Sequence, residues 1–267
     1  EKGMKKMKKY FFHIGMGVCI IAGVLAIVYY SVHVFQTQEN DRQINVLQNV
    51  AHSKGSEKQE SGQDQSNTSA ETESSKDSIN FQGLRKINPE VEAWITIPGT
   101  VIDYPVMLSS EENAYLHKDI YQKSSSHGML YFAKPYDREN EQWNMLIYGH
   151  NMKDGSMFGS LLSYRDQKYR EKHPVVHLYR RDQMMIYRVV GAFITDVSGR
   201  KENCFRYSRY LTMADKSSFR KFMHHYDQCN LYDLQEKLEK KDRLLMLSTC
   251  EYSTSDGRFV LLCRQEK

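Results

Sequence analysis

The 267-residue chain has five cysteines, Cys19, Cys204, Cys229, Cys250 and Cys263, with no CxxC pair and no regular spacing. That pattern argues against a structural zinc site or a disulfide framework, and the odd count leaves at least one thiol free. There is no arginine-rich stripe and no aromatic RNA-binding motif, so no nucleic-acid partner is expected. No internal repeat is visible. The formal charge of +4 says little about partners, because Lys2, Lys5, Lys6, Lys8 and Lys9 crowd one end.

A further absence is local. From Tyr10 to Phe35 there is no Asp, Glu, Lys or Arg. A helix of that length, at ~1.5 Å per residue, crosses a ~30 Å hydrocarbon layer. The apolar run is too long for a cleaved signal peptide, and no A-x-A pattern follows it. Residues 10–35 therefore read as a transmembrane anchor, and the lysines of residues 1–9 form a basic tail expected in the cytoplasm. The sequence opens on Glu1, and Met4 is one candidate start. Residues 36–78 are rich in Gln, Ser, Glu, Asn and Lys and nearly lack aromatics. They read as a flexible extracellular linker that cannot bury enough apolar surface to fold alone. Within it, Ile44, Val46, Leu47 and Val50 have roughly helical spacing, the one hint of a short helix over 41–51.

Residues 79–267 read as the folded domain. Short apolar runs at 91–97, 101–108, 128–133, 144–149, 175–179, 184–194, 244–250 and 258–263 predict strands, bounded by turn-forming residues. Pro105 predicts an edge or a bulge in the second run. Ser156 is expected to cap a helix reaching Lys172, and 215–226 to form another. The fold class is mainly β, a barrel or sandwich with helical insertions.

Three residues sit where strands begin or end: His150 after one strand, Cys250 at the end of another, and Arg258 at the start of the last. In adjacent antiparallel strands, Cys250 and Arg258 fall on neighbouring edges of one sheet. A thiol beside a guanidinium is biased toward thiolate. Such a Cys can act as nucleophile, a His can protonate a leaving amine, and an Arg can stabilise a developing oxyanion. Against this stands a plainer reading: a buried structural Cys, and an Arg paired with a surface acid such as Glu251. Other candidates have plain readings too. Asp103 and Asp119 lie in separate elements. His173 and His177 flank Pro174, which spoils helical metal spacing. His224 and His225 read as a solvated helix face, and Cys263 as core. Cys204 and Cys229 bracket the insertion as free thiols or a disulfide.

The strings Tyr148-Gly149-His150-Asn151-Met152-Lys153-Asp154-Gly155-Ser156-Met157-Phe158 and Leu247-Ser248-Thr249-Cys250, followed by Arg258, resemble those of the sortases of Gram-positive bacteria, class B in particular. The resemblance extends over Asn88 to Cys263 and includes Trp94-Ile95, Ile102-Asp103-Tyr104-Pro105-Val106 and Tyr115-Leu116. It implies an eight-stranded sortase-type barrel whose class B helical insertion precedes the last two strands. It carries the catalytic roles to His150, Cys250 and Arg258, and substrate contacts to Asn113, Tyr148, Ser248 and Glu251. Met246 stands where many sortases have Thr, and seven residues separate Cys250 from Arg258.

The function implied is a membrane-anchored cysteine transpeptidase with no cofactor and no metal. It would cut secreted proteins after the Thr of a C-terminal sorting motif, of an Asn-Pro-x-Thr type, and join the acyl group to a peptidoglycan amine. The catalytic domain would lie outside the cell. The alternatives are a pilin-polymerising sortase that uses a protein Lys amine, a surface cysteine protease, and a non-catalytic surface-binding β-domain.

Overall fold

The computed structural model describes residues 2–53, 78–137, 144–181, 183–198, 205–212, 215–232, 237–254 and 256–266. The chain divides into two compact units, Glu1–Asn45 and Val46–Lys267. The first is helical. It belongs to α1 (Lys2–Ala51), which from Gly15 onward is long and apolar enough to cross a membrane. Large apolar side chains including Val24, Leu25, Ile27, Tyr29 and Phe35 are exposed along it, as in a helix whose partner is lipid.

The second unit is a barrel. Its strands are β1 (Val91–Thr96), β2 (Asp103–Met107), β3 (Leu130–Phe132), β4 (Asn144–Tyr148), β5 (Val175–Arg180), β6 (Gln183–Asp196), β7 (Leu244–Glu251) and β8 (Gly257–Gln265). They close in the order β1-β2-β3-β4-β7-β8-β6-β5, so all eight predicted strands are present. The β2–β3 and β4–β7 pairs are parallel, and the others are antiparallel. Pro105 pairs with Trp94 of β1, and β2 meets β3 only from Val106 onward. The proline thus sits where β2 has a neighbour on one side alone, and its missing N–H disrupts no ladder.

The helices are α2 (Phe81–Ile87), α3 (Gln167–Lys172) and α4 (Lys216–Cys229). Asp215 caps α4 by accepting from the Ser217 and Ser218 amides. The single helix predicted from Ser156 to Lys172 is instead a 3-10 segment, Gly159–Arg165, followed by α3. Asp166 divides them: its extended backbone, at ψ 120°, ends one segment, and its carboxylate accepts from Lys168 N to start the next. Ser156 does not cap; its amide and hydroxyl both donate to Asp154.

The first part of the stretch expected as a linker, 36–78, is helical, where the sequence held a hint of a short helix over 41–51. Helix α1 continues to Ala51, and Leu47 and Ala51 are buried in the barrel unit. Gln48 donates to the Asp103 carbonyl at 3.0 Å, and His52 contacts the Asp103 carboxylate at 3.1 Å. Residues 54–77, the remainder of that expected linker, lie outside the described residues.

Side chains alternate across a strand, and the alternation on β7 decides where the site falls. Leu244 and Met246, with Leu146, Val260 and Leu262, pack under Phe205, Tyr207, Phe222 and Tyr226 of the segment between β6 and β7. Ser248 and Cys250 have the same parity on β7, as Arg258 has on β8. They share this helix-covered face, at the end where the cover stops.

Candidate active site

The β7–β8 register sets Cys250 directly opposite Arg258. The β4–β7 register runs in parallel from Asn144↔Leu244 to Tyr148↔Ser248. Two parallel strands reach the same rim together, so the residues just past the end of their ladder, His150 and Cys250, arrive at one place. All three line a single cleft of about 410 Å³. Cys250 is partly exposed there, while Cys263 is wholly buried. Burial pushes the Cys263 thiol up and the Cys229 thiol up to about 12, which leaves both as unreactive thiols. Cys204 lies outside the described residues.

His150 is oriented by a backbone group. Its Nε2 lies 2.6 Å from the Leu116 carbonyl oxygen, which can only accept, so Nε2 carries a proton. Nδ1 is then the nitrogen available to gain or lose a proton. The His150 carbonyl takes the Phe158 amide at 2.9 Å, which closes the loop after β4. Gly149 is required by close approach: a Cβ there would lie 2.3 Å from Leu130 and 2.7 Å from Phe158.

Arg258 makes a short-range bond from Nη1 to the Gly257 carbonyl at 2.9 Å. Among the described residues no carboxylate forms an ion pair with it. Glu251, the acid that could have neutralised it, is buried and bound by Arg165 and Ser253. Burial alone would raise the Glu251 carboxyl, but the Ser253 and Arg165 donors outweigh it and hold it below the usual carboxylate range. The positive charge of Arg258 is instead felt by Tyr131, Tyr148 and Tyr207. Burial pushes all three phenols up, and Arg258 pulls them part of the way back. They remain neutral hydrogen-bonding groups around the thiol.

Of the expected substrate contacts, Asn113, Tyr148 and Ser248 line the cleft. Asn113 adopts a left-handed backbone, φ 57°, and its Oδ1 accepts from Tyr131 Oη at 3.1 Å. Ser248 is buried with its hydroxyl 2.6 Å from Tyr207 Oη. Glu251 does not line the cleft: it is one residue on from Cys250, so the pleat turns it to the opposite face. Tyr131 and Tyr207 do line it and were missed. Tyr131 read only as part of a strand, and Tyr207 lies in the segment between β6 and β7, where there was no strand signal to place it.

The remaining candidates fall apart as sites. Asp119 accepts from the Tyr121 and Lys123 amides in a turn, and Asp103 accepts from Trp94 Nε1 at 2.6 Å. His173 Nδ1 donates to the Pro98 carbonyl at 2.9 Å. His225 stacks on Phe205, while His224 is exposed. Among the described residues no group of His, Cys, Asp or Glu could hold a metal ion.

Comparison with known proteins agrees with this fold. Residues 95–266 match the sortase domain family. The curated sortase B of Listeria monocytogenes is 30% identical over 191 residues, covering 68% of this chain and 72% of that protein. The crystal structure of sortase B from B. anthracis in complex with AAEK1 superposes with a TM-score of 0.69 at 23% identity, covering 88% of this chain and 99% of that one. A Staphylococcus aureus sortase B–substrate complex superposes with a TM-score of 0.62 at 25% identity, covering 70% and 85% respectively. The chain belongs to the sortase family, as a class B member. It is accordingly a cysteine transpeptidase of the cell-wall sorting type.

Proposed function

We propose that Cys250 attacks the carbonyl of a Thr in the C-terminal sorting motif of a secreted protein, forming a thioester, and that a peptidoglycan amine then resolves it. The observation that carries this reading is the directly opposed Cys250–Arg258 pair, with His150 in the same cleft. The thiolate adds to the Thr carbonyl carbon. Arg258 donates to the oxygen as negative charge develops, and a guanidinium not engaged by a carboxylate is suited to that role. His150, held through Nε2, passes a proton from Nδ1 to the departing amine, which leaves as the C–N bond breaks. The incoming amine gives its proton back to Nδ1 as it displaces the Cys250 thiolate.

Asn113, Tyr148 and Ser248 line the wall on which the motif would lie, an Asn-Pro-x-Thr type by class. The apolar stretch of α1 anchors the enzyme as a single span, with the lysine-rich end inside and the barrel outside. Residues 1–9, 10–35, the remaining linker and the barrel unit would follow in that order.

The test is incubation with an Asn-Pro-x-Thr-containing peptide, with and without an added oligoglycine amine, followed by mass spectrometry. The expected results are a thioester on Cys250 and, with amine present, a transpeptidation product. Release of free acid alone, even with amine present, would make the protein a hydrolase. Transfer only to a protein Lys would make it a pilus-type polymerase.

A further inference from the structure

The ladder between β4 and β7 ends at Tyr148↔Ser248, two residues short of both His150 and Cys250. Beyond it, among the described residues, the two segments are joined by three hydrogen bonds. One continues the ladder, from Gly149 N to the Ser248 carbonyl at 3.1 Å. The other two come from side chains. Thr249 Oγ1 donates to the Gly149 carbonyl at 2.8 Å, and Asn151 Nδ2 donates to the Cys250 carbonyl at 2.8 Å. Thr249 immediately precedes the nucleophile, and Asn151 immediately follows the histidine.

We infer that Asn151 and Thr249 are positioning residues that form a reciprocal clasp setting the approach of His150 to Cys250. Each ties its own segment to the backbone of the other, one bond just before the catalytic pair and one just after. The His150 loop can transmit this constraint because it is closed on itself: Phe158 N donates to the His150 carbonyl, and Asn151 bridges Met157. Thr249 is 2% exposed, so its hydroxyl has little water to turn to if the bond is lost. Neither side chain would touch the reacting atoms. Their effect is geometric, and a misplacement of about 1 Å between catalytic groups can cost roughly 10²-fold in rate.

The inference rests on His150 and Cys250 being the acid and the nucleophile, so the experiment has two readouts. Full-length chain in detergent, as wild type, Thr249→Val, Thr249→Ser and Asn151→Ala, is assayed for kcat and KM on the sorting-motif peptide. In parallel, the rate of Cys250 alkylation by iodoacetamide is followed against pH, with His150→Ala as the reference for a thiol without its partner. Thermal melts establish the folded fraction of each variant.

The expected result is a fall in kcat of about 10- to 100-fold for Thr249→Val and Asn151→Ala, with KM within about twofold of wild type. Thr249→Ser, which keeps the hydroxyl, should recover most of the rate. The alkylation profiles of the two damaged variants should move toward that of His150→Ala. Unchanged kcat per folded molecule in both, or losses confined to KM, would overturn the clasp. So would a Thr249→Ser variant as impaired as Thr249→Val. If the wild-type alkylation profile does not respond to His150→Ala, the failure lies in the catalytic assignment and not in the clasp.

Discussion

Cys250 and Glu251 are neighbours on β7, and each has an arginine to answer it, yet the two pairs have opposite characters. Glu251 is buried and held by Arg165 and Ser253. Cys250 is partly exposed in the cleft, opposite Arg258, whose charge no described carboxylate neutralises. One turn of the pleat separates a satisfied structural pair from a cationic site facing a thiol. An arginine engaged with a carboxylate is spent on stability. An arginine left without one keeps its field for a charge that appears only during reaction.

The largest effect should come from the thiol itself. Cys250→Ala is expected to abolish thioester formation with little change in melting temperature, while Cys229→Ala and Cys263→Ala keep activity per folded molecule. Intact mass after peptide incubation checks this, and an equal loss from Cys229→Ala or Cys263→Ala would dissolve the contrast. Next comes His150→Ala, expected to cost several orders of magnitude in kcat/KM and to flatten a bell-shaped pH profile. A profile that keeps both limbs in that variant would remove the acid–base role.

Arg258→Lys should follow, with kcat down roughly 10²–10³-fold, the usual cost of one oxyanion donor. Because arginine stays charged throughout the accessible range, the limbs of the pH profile should hardly move. A near-normal rate would show that Arg258 is no better placed than a surface cation.

The smallest effect on chemistry should come from the other pair. Glu251→Gln is expected to leave turnover within a few-fold of wild type while lowering stability by roughly 1.5–3 kcal/mol, the range for a hydrogen bond to a charged group. Its carboxyl is held below its ordinary range in the fold. The corresponding stability is therefore present above the unfolded pKa and lost as pH falls through the folded one. Chemical denaturation of wild type and Glu251→Gln from neutral pH into acid checks this: the two should converge at the acid end. A gap that widens there would reverse the sign and refute the assignment.

The strands were legible because each is a short apolar run between turn formers, and the shared cleft of His150, Cys250 and Arg258 was legible because the three sit at or near strand ends. What stayed hidden depends on contacts across the sequence. Glu251 looked like a cleft residue beside Cys250, and only the pleat and Arg165, far away in sequence, show where its carboxylate goes. Tyr207 lies in a segment without a strand pattern, and its place under the cleft comes from packing on β6, β7 and β8. The last turns of α1 read as linker with only the hint of a short helix, because the polar residues around Leu47 and Ala51 hide the docked face in the sequence. The helix expected after Ser156 failed at Asp166, whose capping bond overrode an otherwise continuous apolar spacing.

Parallel pairing of β4 with β7 has a consequence for when the molecule becomes dangerous to itself. The Thr249–Gly149 bond spans 100 residues of chain, and contacts of such separation are slow to form. The β7–β8 hairpin that sets Arg258 opposite Cys250 is local in sequence, whereas His150 comes beside the thiol only when that hairpin pairs with β4. Barrel closure is thus expected to serve as the arming step. During refolding from denaturant, the pH signature of thiol alkylation should switch to its native form in the slowest phase, together with β-sheet circular dichroism.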